Sequence, residues 1–361
     1  MESEDASQLD YITEALRHVS ADKRLGALAA IRRITILTKD HPTLSQSQLD
    51  PKPYIDVNKP GKKVIGHMAK DSTDAEQRVL VEWKYYKEDY WEKHGLELLE
   101  RIAGIAQRLG VFGMSEDLRV LHCSGFYNAP DLYALGLVFE FPRAEPVHNL
   151  TTLRDLLTQD RDARRLGKEN KPLLGSRFKL AHKLATSLLE FHKLGWLHKC
   201  VSSFNIVFFP TSDLSSDLEF IEKPYMVGFV HSRPNEQDAF TEGPPGEDDD
   251  YQHPAYVSDK QRFCPEFDYY SLGIVLLELG LWKTIQEMTD SRDWEVPMEE
   301  FRQKLLMRRV PQLGKSMGAR YRDAVKACLQ WNSNPQNQIA SVSVFLDFQR
   351  LVVDQLASCT A

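Results

Sequence analysis

Three side chains with different chemistry stand in a row at His198-Lys199-Cys200, and the run continues Val201-Ser202-Ser203-Phe204-Asn205. A neighbouring cation favours a thiolate, so Lys199 beside Cys200, with His198 two positions before it, would suit a nucleophilic or redox thiol. Set against that, most such cysteines are inert apolar fillers. Gly228-Phe229 follows the short apolar run Tyr225-Met226-Val227 and offers no metal-binding side chain. Further upstream, Val81-Glu82-Trp83-Lys84 places a carboxylate and an ammonium two residues apart, on one face of any strand. Asp268 precedes the apolar stretch Tyr269 to Trp282, which Glu278 interrupts. A carboxylate heading a buried helix needs hydrogen-bond donors, and a nearby loop backbone would supply them.

These residues must be held by elements that the sequence outlines. Arg78 to Tyr86 alternates as a half-buried strand does, with Val79, Val81, Trp83 and Tyr85 on one face. Leu96 to Leu109 has helical spacing, with Glu97 and Glu100 off its apolar stripe. Leu118 to Ser124 and Tyr133 to Phe141 read as two further strands, the second ending at Glu140-Phe141-Pro142. Thr152 caps a short helix to Leu157, and Asp160 to Lys171, charged and poorly periodic, reads as a solvated insertion. A broad apolar stripe from Phe178 to Phe191, stopped at Gly195, is a long helix that presents His198. Glu242 to Asp250 has the composition of a loop, and its acidic run 247–250 reads as a solvated charge run. Helical spacing returns at Tyr321 to Leu329 and at Val342 to Leu351.

Bulk composition narrows the classes. A net charge of -7 gives no general attraction to nucleic acid or anionic lipid. The 5 cysteines form no C-x-x-C pair and leave an odd number, the pattern of reduced intracellular thiols. Met1-Glu2-Ser3-Glu4-Asp5 is acidic where a signal peptide is basic, so a soluble, cytoplasmic protein is expected. Two helical pieces are expected between Leu9 and Leu37; the run Lys23 to Ile34 is basic and apolar enough for a membrane-surface or partner helix, and any membrane contact is expected through these N-terminal helices alone.

Several motifs then fall in one order. Against the protein-kinase catalytic loop H-R-D-L-x-x-x-N, His198, Lys199 and Asn205 are in register and Cys200 replaces the Asp. Gly228-Phe229 stands where D-F-G has its magnesium-binding Asp, Val81 to Lys84 fits V-A-I-K, and Tyr251 to Tyr256 holds the place of A-P-E with Pro254 kept. Asp268-Tyr269-Tyr270-Ser271-Leu272-Gly273 is similar to the kinase D-x-W-S-x-G helix. Together these resemble the kinase-like domains of filamentous fungi that often follow a HeLo helical domain, itself linked in that family to incompatibility and cell death.

The resemblance implies an α+β, two-lobed kinase-like fold. Its parts would be a helical extension (1–40), a linker (41–62), a β-rich N-lobe (63–142), a helical C-lobe (143–356) and a tail (357–361). It implies a nucleotide cleft lined by Lys84, Glu82, Glu100 and Glu140, with Glu82 crowding the adenine, and structural roles for Asp268 and Gly273. His198 and Phe229 correspond to packing residues between lobes, whereas the carboxylates that orient the hydroxyl and bind magnesium are absent at Cys200 and Gly228. Asn205 alone is too little for a hard octahedral ion. The expectation is a pseudokinase that acts as a signalling scaffold with a protein partner, no metal and no cofactor beyond ATP bound without magnesium. The alternative is an atypical ATP-binding Ser/Thr kinase with weak phosphotransferase activity.

Overall fold

The computed structural model describes residues 54–55, 63–69, 76–113, 118–142, 150–168, 170–210, 218–235, 250–258, 261–289, 296–331 and 342–361. The expected N-terminal helices (9–37) and residues 247–249 of the acidic run lie outside the described residues. The chain divides into two compact units, Met1–Ala144 and Glu145–Ala361. Strands dominate the first and helices the second, an α+β arrangement.

The first unit is an antiparallel sheet of β1 (Tyr54–Ile55), β2 (Lys63–Ala69), β3 (Glu76–Tyr85), β4 (Cys123–Ala129) and β5 (Ala134–Glu140), in the order β1-β2-β3-β5-β4. One helix, α1 (Glu88–Phe112), packs on β4. β3 is a central strand, so the half-buried expectation is corrected: Val79 to Trp83 are all buried, including Glu82. Val79, Val81, Trp83, Ala129, Ala134 and Val138 make one core face. Gly136, opposite Trp83 in the register, leaves room for the indole, since a Cβ there would come within 2.9 Å of the ring.

Two boundaries also move. The strand expected at Leu118 to Ser124 instead runs Cys123–Ala129, because its ladder with β5 resumes after a bulge at Cys123/Gly125. α1 begins well before Leu96, at Glu88. Its first turns are largely exposed and show no apolar stripe, but Glu88 and Asp89 suit the positive end of the helix dipole, and Trp91 stacks on Tyr86 at 4.5 Å.

The second unit opens with β6 (Thr151–Thr152) and α2 (Leu153–Arg165), followed by α3 (Leu174–Lys193) and β7 (Trp196–Leu197). Next come β8 (Ile206–Phe208), β9 (Tyr225–Met226), β10 (Arg233–Pro234) and α4 (Pro254–Val257). Then follow α5 (Pro265–Leu281), α6 (Ile285–Met288), α7 (Met298–Arg308), α8 (Val310–Ser316), α9 (Gly318–Gln330) and α10 (Val342–Phe348). Two small antiparallel sheets, β10-β7 and β6-β8-β9, frame the loops.

Thr152 and Asp155 form a capping box for α2, which does not stop at Leu157. The solvated insertion expected from Asp160 is therefore corrected. Asp160 is buried, accepts from Arg164 one turn on at 2.9 Å and from the Asn170 amide at 2.9 Å, and so carries the helix to Arg165. α5 is buried along nearly its whole length, and Gly273 lets α9 approach: a Cβ there would lie 2.8 Å from Cys328 Cβ. Arg177 donates to the carbonyl of Gly280, closing the C-terminal end of α5. Among the described residues no helix is long and apolar enough to cross a membrane.

Candidate functional site

The candidate site in the second unit is a loop whose backbone groups are taken up almost one by one. α3 ends at Lys193, Gly195 turns the chain with φ +80°, and β7 delivers His198. The Asp268 carboxylate, on the first turn of α5, accepts from the amides of His198 and Lys199, both at 2.8 Å. His192, one position from the end of α3, bonds the same carboxylate at 2.9 Å, with both side chains fully buried. A buried carboxylate with three partners is satisfied.

The carbonyls are held in the same way. Ser232 Oγ donates to His198 O (3.1 Å), Gln252 Nε2 to Lys199 O (3.3 Å) and Asn205 Nδ2 to Cys200 O (2.7 Å). The Cys200 amide donates to His198 Nδ1 at 3.2 Å, so that ring nitrogen serves the backbone and not the thiol. Cys200 itself is buried.

Lys199 adopts a left-handed φ of +69°, unusual for a lysine and held by the hydrogen bond its backbone N–H donates to Asp268. Its ammonium lies over the rings of Phe263 and Tyr256, 5.5 and 5.7 Å from their centroids. His198 packs on Phe229 at 4.7 Å, and Phe191 touches both rings. The pair is thus part of a buried cluster of tilted rings.

Asn205 and Gly228 are in direct contact. The Val227 amide bonds Asn205 O at 3.0 Å, and Gly228 turns with φ +95°. A Cβ at Gly228 would lie 2.6 Å from Asn205 Cγ and Nδ2 and 2.9 Å from Oδ1. The space beside Gly228 is therefore filled by the Asn205 side chain, and no larger residue fits there without displacing it. A magnesium ion held from these two positions does not fit what is present: one has no side chain and no room for one. Among the described residues no group of three or more His, Cys, Asp or Glu side chains could hold a metal ion.

Glu82, Lys84, Glu100 and Glu140 all belong to the first unit. Glu82 is buried on β3, opposite Lys63 of β2 and Leu137 of β5. Lys84 is half-buried and opposite Leu135. Glu100 is exposed on α1, as is Glu97, which pairs with His94 at 3.5 Å. Glu140, at the end of β5, accepts from Ser124 Oγ at 3.0 Å and lies 3.9 Å from His122 Nε2.

One polar group at this site lies outside the motifs that the sequence shows. Tyr251 donates its hydroxyl to Glu278, 2.9 and 3.0 Å from the two carboxylate oxygens, and lies 2.8 Å from Ser203 Oγ in the loop. Burial pushes the Glu278 carboxyl up to about 7, against bonds from the Ile285 amide and Tyr251 and the nearby Arg154. The signal was available: a glutamate inside a helix otherwise apolar is costly unless it has partners.

The family described as Domain of unknown function (DUF7580) matches residues 129–355, from the last residue of β4 through most of the second unit. That is more than half of the chain, which belongs to this family. No curated protein matches it.

Proposed function

We propose that this DUF7580 member is a two-lobed, protein-kinase-like module without phosphotransferase chemistry, and that it works as a signalling scaffold for a protein partner. The order of elements supports the kinase likeness: an antiparallel sheet with one long helix, then a helical unit whose Asp268 holds the loop amides of His198 and Lys199. The observation that carries the inactive reading is the contact between Asn205 and Gly228. Phosphoryl transfer requires a metal between the phosphates and a carboxylate that orients the hydroxyl. Here the metal position lacks both side chain and space, and the carboxylate position is a buried cysteine whose backbone is tied to His198 and Asn205.

What remains is packing. His198, Phe229 and Phe191 pack as a cluster of tilted rings, and Asp268 has its donors. A loop with its backbone groups paired is a rigid platform, which suits recognition of a partner. Glu82, buried two residues from Lys84, further weighs against ordinary nucleotide binding on that strand.

Thermal unfolding of the full chain with ATP, with and without magnesium, tests this reading. The expected result is no magnesium-dependent stabilisation and no transfer of labelled phosphate. Magnesium-dependent stabilisation together with transfer that is lost in Lys84→Met would overturn it and establish the active-kinase alternative.

A further inference from the structure

The polar group around Tyr251 joins segments far apart in sequence. The tyrosine hydroxyl has one proton, which it donates to the Glu278 carboxyl group. Ser203 Oγ, 2.8 Å away, is then the donor to the tyrosine oxygen. Glu278 Oε1 also accepts from the Ile285 amide, the first residue of α6, at 2.8 Å. Ser271 Oγ donates to the Tyr251 carbonyl at 2.7 Å. Ser203, Tyr251 and Glu278 are almost wholly withdrawn from solvent.

Arg154 extends the set. Its guanidinium lies 3.8 Å from Glu278 Oε1, covers the Phe204 ring at 4.9 Å and donates to Gln286, whose amide donates to Asp250 at 2.6 Å. The Tyr251 hydroxyl donates to Glu278 and accepts from Ser203, so parting either pair strands a buried polar atom. Such a chain opens as a whole or stays closed.

We propose that Ser203, Tyr251 and Glu278 form an internal latch that couples the loop Cys200–Asn205 to the segment Asp250–Gln252 and to the start of α6. A displacement of residues 250–252 is transmitted through the latch to the loop. The coupling lies within the second unit and does not depend on whether the chain binds nucleotide.

Native-state hydrogen exchange on the full chain tests the latch through the amides of Cys200, Asn205 and Ile285, each bonded within it or beside it. In the wild type these three are expected to exchange through one shared opening that lies below global unfolding. Tyr251→Phe is expected to raise the exchange of all three by the same factor, about tenfold for one lost buried bond, while Ala324 and Cys328 in α9 stay unchanged. Unequal openings in the wild type overturn the latch without any variant. So does a Tyr251→Phe effect confined to Ile285, or one shared equally by α9. Ser203→Ala, a smaller change, carries the same expectations should Tyr251→Phe not fold.

Discussion

The side chain of Asn205 fills the space that any side chain at Gly228 would need, with 2.6 Å separating Asn205 Cγ from the position of a Cβ at 228. The two positions cannot both carry a metal ligand in this backbone. Gly228→Asp is therefore expected to destabilise the chain by about 2–4 kcal/mol, from overpacking plus a left-handed φ, without creating magnesium affinity. Combining it with Asn205→Ala relieves the overpacking part, so urea unfolding of the double variant should show less than the sum of the two single losses.

Asp268 is the anchor of the loop. Asp268→Asn replaces one acceptor oxygen by a donor, which would then face an amide of His198 or Lys199. A cost of about 3–5 kcal/mol is expected in denaturant unfolding, the range for stranding buried charge-assisted bonds. A loss below about 1 kcal/mol would show that the loop holds itself without Asp268.

Two buried groups beside the Tyr251–Tyr256 segment, Glu278 bonded to Tyr251 and His253 within it, have opposite proton linkage. Glu278 is pushed by burial from the ordinary 4.5 up to about 7, so the folded chain binds its proton more tightly and stability falls as pH rises between those values. His253 is lowered from 6.5 to about 4, chiefly by burial and then by Arg302, so the folded chain binds its proton less tightly and stability falls as pH drops from about 6.5 to 4. Between about 4.5 and 6.5 the two slopes cancel. Measured as a difference from the wild type, Glu278→Gln should expose a rise in stability with pH over that window, and His253→Asn a fall. Each slope is about 1.4 kcal/mol per pH unit at most. Asparagine is the chosen replacement because His253 caps α4 through Nδ1. Flat differences for both variants would contradict the opposed linkage.

Asp160 gives a local test of the helix that composition concealed. Asp160→Ala removes the partner of Arg164 and of the Asn170 amide and is expected to cost about 1–3 kcal/mol, with faster hydrogen exchange in the last turn of α2. The same substitution at exposed Asp162 should cost under about 0.5 kcal/mol.

Elements with strong periodicity and clear end signals were legible in the sequence. The apolar stripe from Phe178 to Phe191 became α3, ended near Gly195, and Thr152 capped α2. Where the evidence for an element is tertiary, the sequence misled. Asp160 to Arg165 looks like solvated charge because its partners, Arg164, Asn170 and, through Arg164, Glu287, have no apolar pattern to announce them. β3 looked half-buried because alternation in a ten-residue strand cannot tell a central strand from an edge one. At the candidate site, the types and spacing of His198, Asn205, Gly228 and Asp268 suggested a loop, and the motif likeness gave Asp268 its expected donors. What could not be read was the contact of Asn205 with Gly228 or the bond from Tyr251 to Glu278, since both depend on loops meeting across long stretches of chain.

The most direct measurement for the central claim is paramagnetic broadening of backbone amide signals on adding manganese(II) with ATP to the full chain, manganese standing in for magnesium. An inactive loop filled by Asn205 predicts no selective broadening at Asn205, Val227 or Gly228. Selective, saturable broadening at those amides would place a metal where the Asn205–Gly228 contact leaves no room for one, and would contradict the account.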